Sequence, residues 1–333
     1  MNYSVFMPYC MIANEPGNSS VLTKKEFALE APKKNEVIIK NESIGINFID
    51  IYIRKGIYPW PAETNNKNLI LGSEGAGIIE AAGSEVTKFQ IGDRVAFLKT
   101  NGAYTSHRTI EQDFVVHLPD FISFDQAAAV MLKGLTVKYL LNDSYKIKGH
   151  ENVLFHASAG GVGSIAGQWL NSLGIKTIGT AGTDEKCLFA KQQGYEHVIN
   201  YNKADFQKVA MEITNDQGFD VVYDSVGQAT MPGSFGSLKQ HGTLISFGQS
   251  SGTYTDLKIT DLQAGSFFLS RPILFHFTSI PGWLDEACLI LFDMIRSGKI
   301  NIQFDNSYHL ENLGAVHDEI ENRKTSGSIV LKV

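Results

Sequence analysis

Between Val153 and Gly163 the chain reads Val-Leu-Phe-His-Ala-Ser-Ala-Gly-Gly-Val-Gly, an apolar run that turns through glycines into a helix-like stretch. Aligned on G-x-G-x-x-G, Gly160 takes the second position and Gly163 the third, with Ser158 in place of the first. The chemistry of such a turn is anion binding. The second glycine lets backbone approach a pyrophosphate, and the third lets helix and strand pack closely. The free N–H groups at the helix start, around Gly161 and Val162, then face the phosphates. A plain tight turn is the blander reading; the two strand–helix units that follow favour a dinucleotide.

The next strand bears on which dinucleotide. Sites for NAD place an acid about 20 residues after the turn to hold the ribose 2′-hydroxyl. Here the strand ends Ile178-Gly179-Thr180-Ala181-Gly182-Thr183, with no acid at its tip. A carboxylate would repel a 2′-phosphate, whereas Thr180 and Gly182 leave room for one. Lys186 offers an ammonium just beyond. Asp184 and Glu185 weigh against this, and Lys186 alone reads equally as a solvated helix residue. The balance predicts NADPH.

The cysteines do no comparable work. Cys10, Cys187 and Cys288 are odd in number and far apart, which excludes a disulfide framework and a Cys-x-x-Cys zinc lobe and fits a reducing cytosol. A formal charge of −6 without a basic run argues against nucleic acid. Met1–Ile12 has no signal-peptide pattern, and no apolar run approaches a membrane span. At 333 residues, 43% of them hydrophobic, the chain suggests two ordinary globular domains in the cytoplasm.

Three zones must position these residues. From about Val21 to Leu118, short strands broken by Gly, Asn and Pro predict a compact β domain. From Phe124 to Pro272 the rhythm is βα, with a helix over Asp125–Asn142 capped by Ser123. Strands follow at Val153–His156, Lys176–Gly179, His197–Ile199, Asp220–Tyr223 and Gly242–Phe247. That alternation predicts a doubly wound parallel sheet. After Pro272 come an amphipathic helix through Leu284, Ala287, Cys288, Leu291, Phe292 and Ile295, a second helix near 310–322, and a strand over Ile329–Val333. Too short for its own core, this tail is expected to pack on the first zone. The expected division is 1–125 with 273–333, and 126–272 as the nucleotide domain. The apolar segment 265–275 reads as an exposed edge strand that pairs two copies into a homodimer, or as core.

The stretches Gly45-Ile46-Asn47-Phe48-Ile49-Asp50, Leu132–Thr136, Ala157–Gly163, Asp220–Gly227 and Ser246-Phe247-Gly248, in this order, resemble the zeta-crystallin-like quinone oxidoreductases. These form a zinc-free branch of the medium-chain dehydrogenase/reductase superfamily. The resemblance implies a GroES-like, mainly-β catalytic domain carrying an inserted Rossmann-type NADPH domain, with a cleft between them. It implies NADPH contacts at Asn47, Thr136, the Gly160–Gly163 turn, Lys186, Tyr201, Phe247 with Gly248, and Arg323. Tyr201 and Arg323 would flank the 2′-phosphate beside Lys186; without the resemblance, Arg323 is a surface arginine. Zinc-dependent relatives carry a histidine where this chain has Ser73, before Glu74, so no metal is expected.

A zinc-free site suits quinones, which accept electrons readily, so the protein has mainly to orient acceptor against nicotinamide. Tyr52, near Asn47, and Tyr58 are candidates for positioning substrate or donating a proton; packing is the alternative for Tyr52. Reduction of an activated C=C bond in an enone, enal or enoyl thioester, or NADPH binding without turnover, are the competing functions.

Overall fold

The structure, a computed structural model, describes residues 7–62 and 68–333. The expectation for Met1–Ile12 therefore lies partly outside the described residues. Two compact units divide the chain: Met1–Leu132 with Leu284–Cys288 and Ile302–Val333, and Lys133–Trp283 with Leu289–Asn301.

The first unit opens with strands β1 (Tyr9–Ala13), β2 (Leu22–Glu26) and β3 (Glu36–Gly45), then the short helix α1 (Phe48–Arg54). Strands β4 (Leu69–Ile70), β5 (Glu74–Ala82), β6 (Arg94–Leu98), β7 (His107–Glu111) and β8 (Val115–His117) follow. Helix α2 (Phe124–Tyr139) starts on a reciprocal cap: Gln126 N–H donates to Ser123 Oγ at 3.1 Å, and Ser123 N–H to Gln126 Oε1 at 2.9 Å.

The second unit alternates β9 (Val153–Phe155), α3 (Gly161–Ser172), β10 (Thr177–Ala181), α4 (Asp184–Gln192), β11 (His197–Asn200) and α5 (Phe206–Ile213). It continues through β12 (Phe219–Asp224), α6 (Met231–Gly236), β13 (Leu238–Ser246), β14 (Phe268–Ser270) and α7 (Leu274–Thr278). All pairings are parallel, in the order β11-β10-β9-β12-β13-β14. This is the strand order of a doubly wound dinucleotide-binding sheet, and its direction reverses between β9 and β12. The unit runs past Pro272 to Trp283, because Phe277 stacks on Tyr139 at 4.8 Å and lies 5.7 Å from Trp283.

The chain ends with α8 (Trp283–Arg296), β15 (Phe304–His309), α9 (Leu313–Glu321) and β16 (Ser328–Lys332). Only part of the tail belongs with the first zone: Leu284–Cys288 and Ile302–Val333 do, whereas Leu289–Asn301, the rest of α8 and the turn after it, belongs to the second unit. β3 pairs with β5 along one edge; its other edge is shared, Glu36–Lys40 with β7 and Ser43–Gly45 with β16. Leu313, Val316 and Ile320 of α9 join Val37, Ile39, Ile79 and Phe97 in one core. β1 and β15 lie outside the zone in which short strands are expected, and β2 lies at its start. β2 reads Leu-Thr-Lys-Lys-Glu and is mostly exposed, so it has no apolar alternation; pairing with β1 holds it.

Candidate cofactor site and its supporting networks

β9 is the central strand at the reversal point, so the chain leaving it emerges where a doubly wound sheet opens a crevice. Ser158 anchors the turn: its N–H and its hydroxyl both donate to Thr180 O, at 3.0 and 2.9 Å. Gly160 is the extended N-cap of α3. A Cβ at Gly163 would lie 2.4 Å from Ala157 O and 2.7 Å from Ser158 Cα, so helix and turn touch there backbone to backbone. A Cβ at Gly160 would lie 3.2 Å from Ala157 O, the same oxygen that accepts the Gly160 N–H at 2.9 Å. The left-handed conformation falls on Ala157, at φ +54°, one residue before Ser158. The turn thus has the strand–turn–helix form on which a helix N-terminus can present backbone N–H groups to an anion.

Below the turn runs a buried polar chain. Asp224 Oδ2 accepts from Ser234 Oγ at 2.7 Å, so the Ser234 lone pair faces His156 Nε2, 3.0 Å away. His156 Nε2 therefore carries the proton, and Nδ1 accepts from Thr180 Oγ1 at 2.9 Å. Burial lowers the His156 pKa, against the pull of Asp224, and keeps the ring neutral. Asp224 Oδ1 accepts the N–H groups of Val226 and Gly227, fixing the loop after β12. Thr180 is thus fully buried and spent on His156 and Ser158; it supports the turn.

At the tip of β10 the Tyr201 ring covers Gly182, where a Cβ would fall 2.7 Å from the Tyr201 hydroxyl oxygen. Lys186 is half-buried in the first turn of α4, its N–H donating to the Thr183 cap at 3.2 Å. One of the two acids that weighed against a phosphate here is engaged: Asp184 pairs with Lys203 and accepts from Asn200 Nδ2 at 2.7 Å. Those two hydrogen bonds lower its pKa. Phe247 is half-buried, 5.7 Å from Phe155, and Gly248 packs on Ser225 O, where a Cβ would lie at 2.6 Å. Arg271 holds this loop, donating to Ser246 O, Ser246 Oγ, Gly248 O and Gln249 Oε1. Thr136 is buried on α2.

In the first unit, Asn47 caps α1 and its amide reaches Glu74 Oε1 at 2.7 Å. Glu74 Oε2 takes the N–H of Leu132. A Cβ at Gly45 would collide first with Ala128 O and then with Glu74 Oε1, so this glycine makes room for helix backbone and carboxylate together. Asp50, fully buried, accepts from Asn47 N–H at 3.0 Å, Ser73 Oγ at 2.9 Å and the Tyr104 hydroxyl at 2.8 Å. Burial pushes its pKa up to about 6 despite those donors. Tyr104 also contacts His317 Nε2 at 3.1 Å, and Arg54 Nη1 donates to His317 Nδ1 at 3.1 Å. The proton on His317 therefore sits on Nε2, and the string runs Arg54, His317, Tyr104, Asp50. Burial and then the Arg54 charge take the His317 pKa down to about 3.

Tyr52 is 8% exposed, edge-on to Tyr58 at 5.5 Å and 5.9 Å from Phe48. Asn47 and Tyr52 thus share α1, with half-buried Tyr58 packed on Tyr52. Arg323 is exposed just beyond α9, at φ +57°. Sequence reasoning missed Asp50, Tyr104, His317, His156, Asp224, Ser234 and Arg271. Only Asp50 had a local signal, its capping spacing from Asn47.

The residues do not fit a zinc ion. The Ser73 hydroxyl is spent on Asp50, and both Glu74 oxygens accept from Asn47 and Leu132. His107 lies 3.2 Å from Glu80, and His117 Nε2 is 2.9 Å from Lys88 O. Among the described residues no three His, Cys, Asp or Glu side chains are grouped to hold a metal. Nor is any helix among them long and apolar enough to cross a membrane.

Residues 33–122 match the family described as alcohol dehydrogenase GroES-like domain, and residues 161–279 the family described as zinc-binding dehydrogenase. The chain is 42% identical to a quinone oxidoreductase of Pseudomonas aeruginosa, over 95% of this chain and 96% of that protein. It is 36% identical to a 2-haloacrylate reductase of a Burkholderia species, over 98% and 99% of the two chains. The crystal structure of Escherichia coli quinone oxidoreductase complexed with NADPH matches with a TM-score of 0.93 and 42% identity, covering 98% of this chain and all of that one (100%).

Proposed function

We propose, from the premise that this chain belongs to the quinone oxidoreductases of the medium-chain dehydrogenase/reductase superfamily, that it reduces small quinones with NADPH. The observation that carries this reading is the glycine turn at Gly160–Gly163, placed at the reversal point of the parallel sheet beside a strand tip without an acid. Bound NADPH supplies the reducing equivalents. Everything else falls to the protein's own groups.

In the parallel unit, Gly160, Gly161, Val162 and Gly163 face the pyrophosphate, anchored through Ser158. Gly182, Lys186 and Tyr201 receive the adenosine end, where a 2′-phosphate meets the Lys186 ammonium instead of Asp184, which is tied to Lys203. Thr180 acts from beneath the turn, Thr136 lies on α2, and Phe247 with Gly248 borders the cofactor on a loop that Arg271 steadies. In the first unit, Arg323 meets the phosphate end, and Asn47, Tyr52 and Tyr58 form the substrate side. The expected division, 1–125 with 273–333 for substrate and 126–272 for nucleotide, assigns these roles. A tyrosine with an ordinary pKa near 10 is a poor base, so Tyr52 serves as donor or positioner of a reduced oxygen.

Two copies associate through β14. It is the outer strand of its sheet, its Phe268 is 61% and its Leu269 36% exposed, and such an edge is a template for pairing. Three free cysteines, two of them buried, suit a reducing cytoplasm, and the acidic net charge suits a small-molecule substrate over nucleic acid.

The likeness to a 2-haloacrylate reductase supports a second reading, reduction of an activated C=C bond. One assay separates the two: nicotinamide oxidation followed with 1,2-quinones, 1,4-quinones, enones and crotonyl thioesters, each with NADPH and NADH. Quinone turnover with NADPH is expected. Turnover confined to enones or thioesters would replace the first reading with the second, and binding without turnover would remove both.

A further inference from the structure

Two local rules are broken within six residues at the end of α9. Helix C-termini favour cations, yet the last turn carries Asp318, Glu319 and Glu321 and no base. The helix then closes with a Schellman pair, Arg323 N–H to Ile320 O and Lys324 N–H to Glu319 O, both 3.0 Å. The first of these two donors takes the left-handed conformation that favours glycine, and here it is Arg323, at φ +57°. A non-glycine residue stays in that region only where its surroundings over-determine it.

The surroundings do so through Glu321. Its Oε1 is held by Arg54 Nη2 and its Oε2 by Lys55 Nζ. Arg54 has no exposed surface and is itself fixed by Gly17 O at 3.2 Å and by His317 at 3.1 Å. Burial alone would raise the Glu321 pKa, but the hydrogen bonds from Lys55 and Arg54 bring it below the usual range, so the pair is charged. Glu319 is held as well, accepting from the Tyr308 hydroxyl at 2.6 Å. The acids that would fray this terminus are the handles by which α1 and its neighbours grip it.

We propose that Glu321 is a positioning residue for cofactor selectivity: clamped by Arg54 and Lys55, it fixes the turn that aims Arg323, and so sets the preference for a 2′-phosphorylated nucleotide. This rests on the assignment of Arg323 to the phosphate end of NADPH. The clamp contributes to binding of NADPH and nothing to binding of NADH, whose 2′-hydroxyl asks nothing of Arg323.

The test is calorimetric binding of NADPH and NADH to the full chain, which needs no turnover. Arg323→Ala should raise the Kd for NADPH by roughly 10-fold or more and spare NADH, as loss of a charged hydrogen bond does. Glu321→Gln should raise the NADPH Kd by roughly 3- to 10-fold, with NADH within about twofold. Lys55→Met, at a largely exposed site, should move the ratio in the same direction and serves if Glu321→Gln does not fold. If Arg323→Ala leaves the ratio unchanged, the phosphate assignment falls and the clamp with it. If Arg323→Ala shifts the ratio while neither clamp variant does, the clamp alone is overturned. A tighter NADPH complex in Glu321→Gln, the result of merely deleting a negative charge, overturns it too.

Discussion

Tyr104 donates its hydroxyl proton to Asp50 Oδ2 across 2.8 Å, with neither residue exposed to solvent. A buried carboxylate is costly unless donors surround it, and Asp50 has three: Tyr104, Ser73 and the N–H of Asn47. The cost still shows in its pKa, raised by burial from 3.8 to about 6.

A pH dependence with a definite sign results. Between about 4 and about 6 the folded chain keeps a proton on Asp50 that the unfolded chain has released, so this group's contribution to stability falls as pH rises. Above about 6 the penalty is constant. Two pKa units amount to roughly 3 kcal/mol. In Asp50→Asn that slope should vanish, so urea unfolding at pH 4 and pH 6.5 should show the variant gaining on the wild type. An equal gap at both pH values would mean that Asp50 ionises freely.

Two glycines of one turn should fail in different ways. In Gly163→Ala the methyl group would sit 2.4 Å from Ala157 O, a backbone atom that cannot swing aside. The variant should lose about 1–3 kcal/mol of stability as well as its cofactor. In Gly160→Ala the nearest atom is 3.2 Å away and φ is negative, so the fold should survive while pyrophosphate loses its approach. Thermal melts with and without NADPH distinguish them; equal melting losses would contradict the division of roles.

Arg323→Gly should trade function for stability. Glycine relieves a left-handed backbone at about 1–2 kcal/mol, which raises Tm by a few degrees in a chain of this size. The same change removes the guanidinium and should weaken NADPH binding. A variant that is both less stable and fully competent for NADPH would refute the reading of this residue.

The edge strand makes a prediction about mass. Sedimentation velocity should find two chains together, and Phe268→Lys, which sets a charge on β14, should release single chains. A wild type that sediments as one chain at micromolar concentration ends the proposal.

The parallel sheet was legible because its inner strands β9, β10 and β12 are buried on both faces. Val153-Leu154-Phe155 and Val221-Val222-Tyr223 are continuous apolar runs, each broken by glycine or a helix cap. β15, Phe-Asp-Asn-Ser-Tyr-His, has neither run nor alternation and forms because β16 offers it a parallel edge. The glycine turn could be read locally since the binding proposed for it is by backbone. The string from Arg54 through His317 and Tyr104 to Asp50 could not, because its members meet only after α1 and α9 have packed. Thr180 lies between these cases: its place at the strand tip was legible, but its hydroxyl turns inward to His156.

The shared edge of β3 constrains how the chain comes off the ribosome. Gly45 is paired with Val330, so the sheet begun by β3 at Glu36 is completed only by β16 at Ser328–Lys332. The parallel unit, whose strands are contiguous in sequence, is free to fold while the earlier segment waits, its β3 edge half-covered, for the tail to be synthesised. Truncating the final few residues would therefore damage the part of the molecule made first and leave the part made later standing.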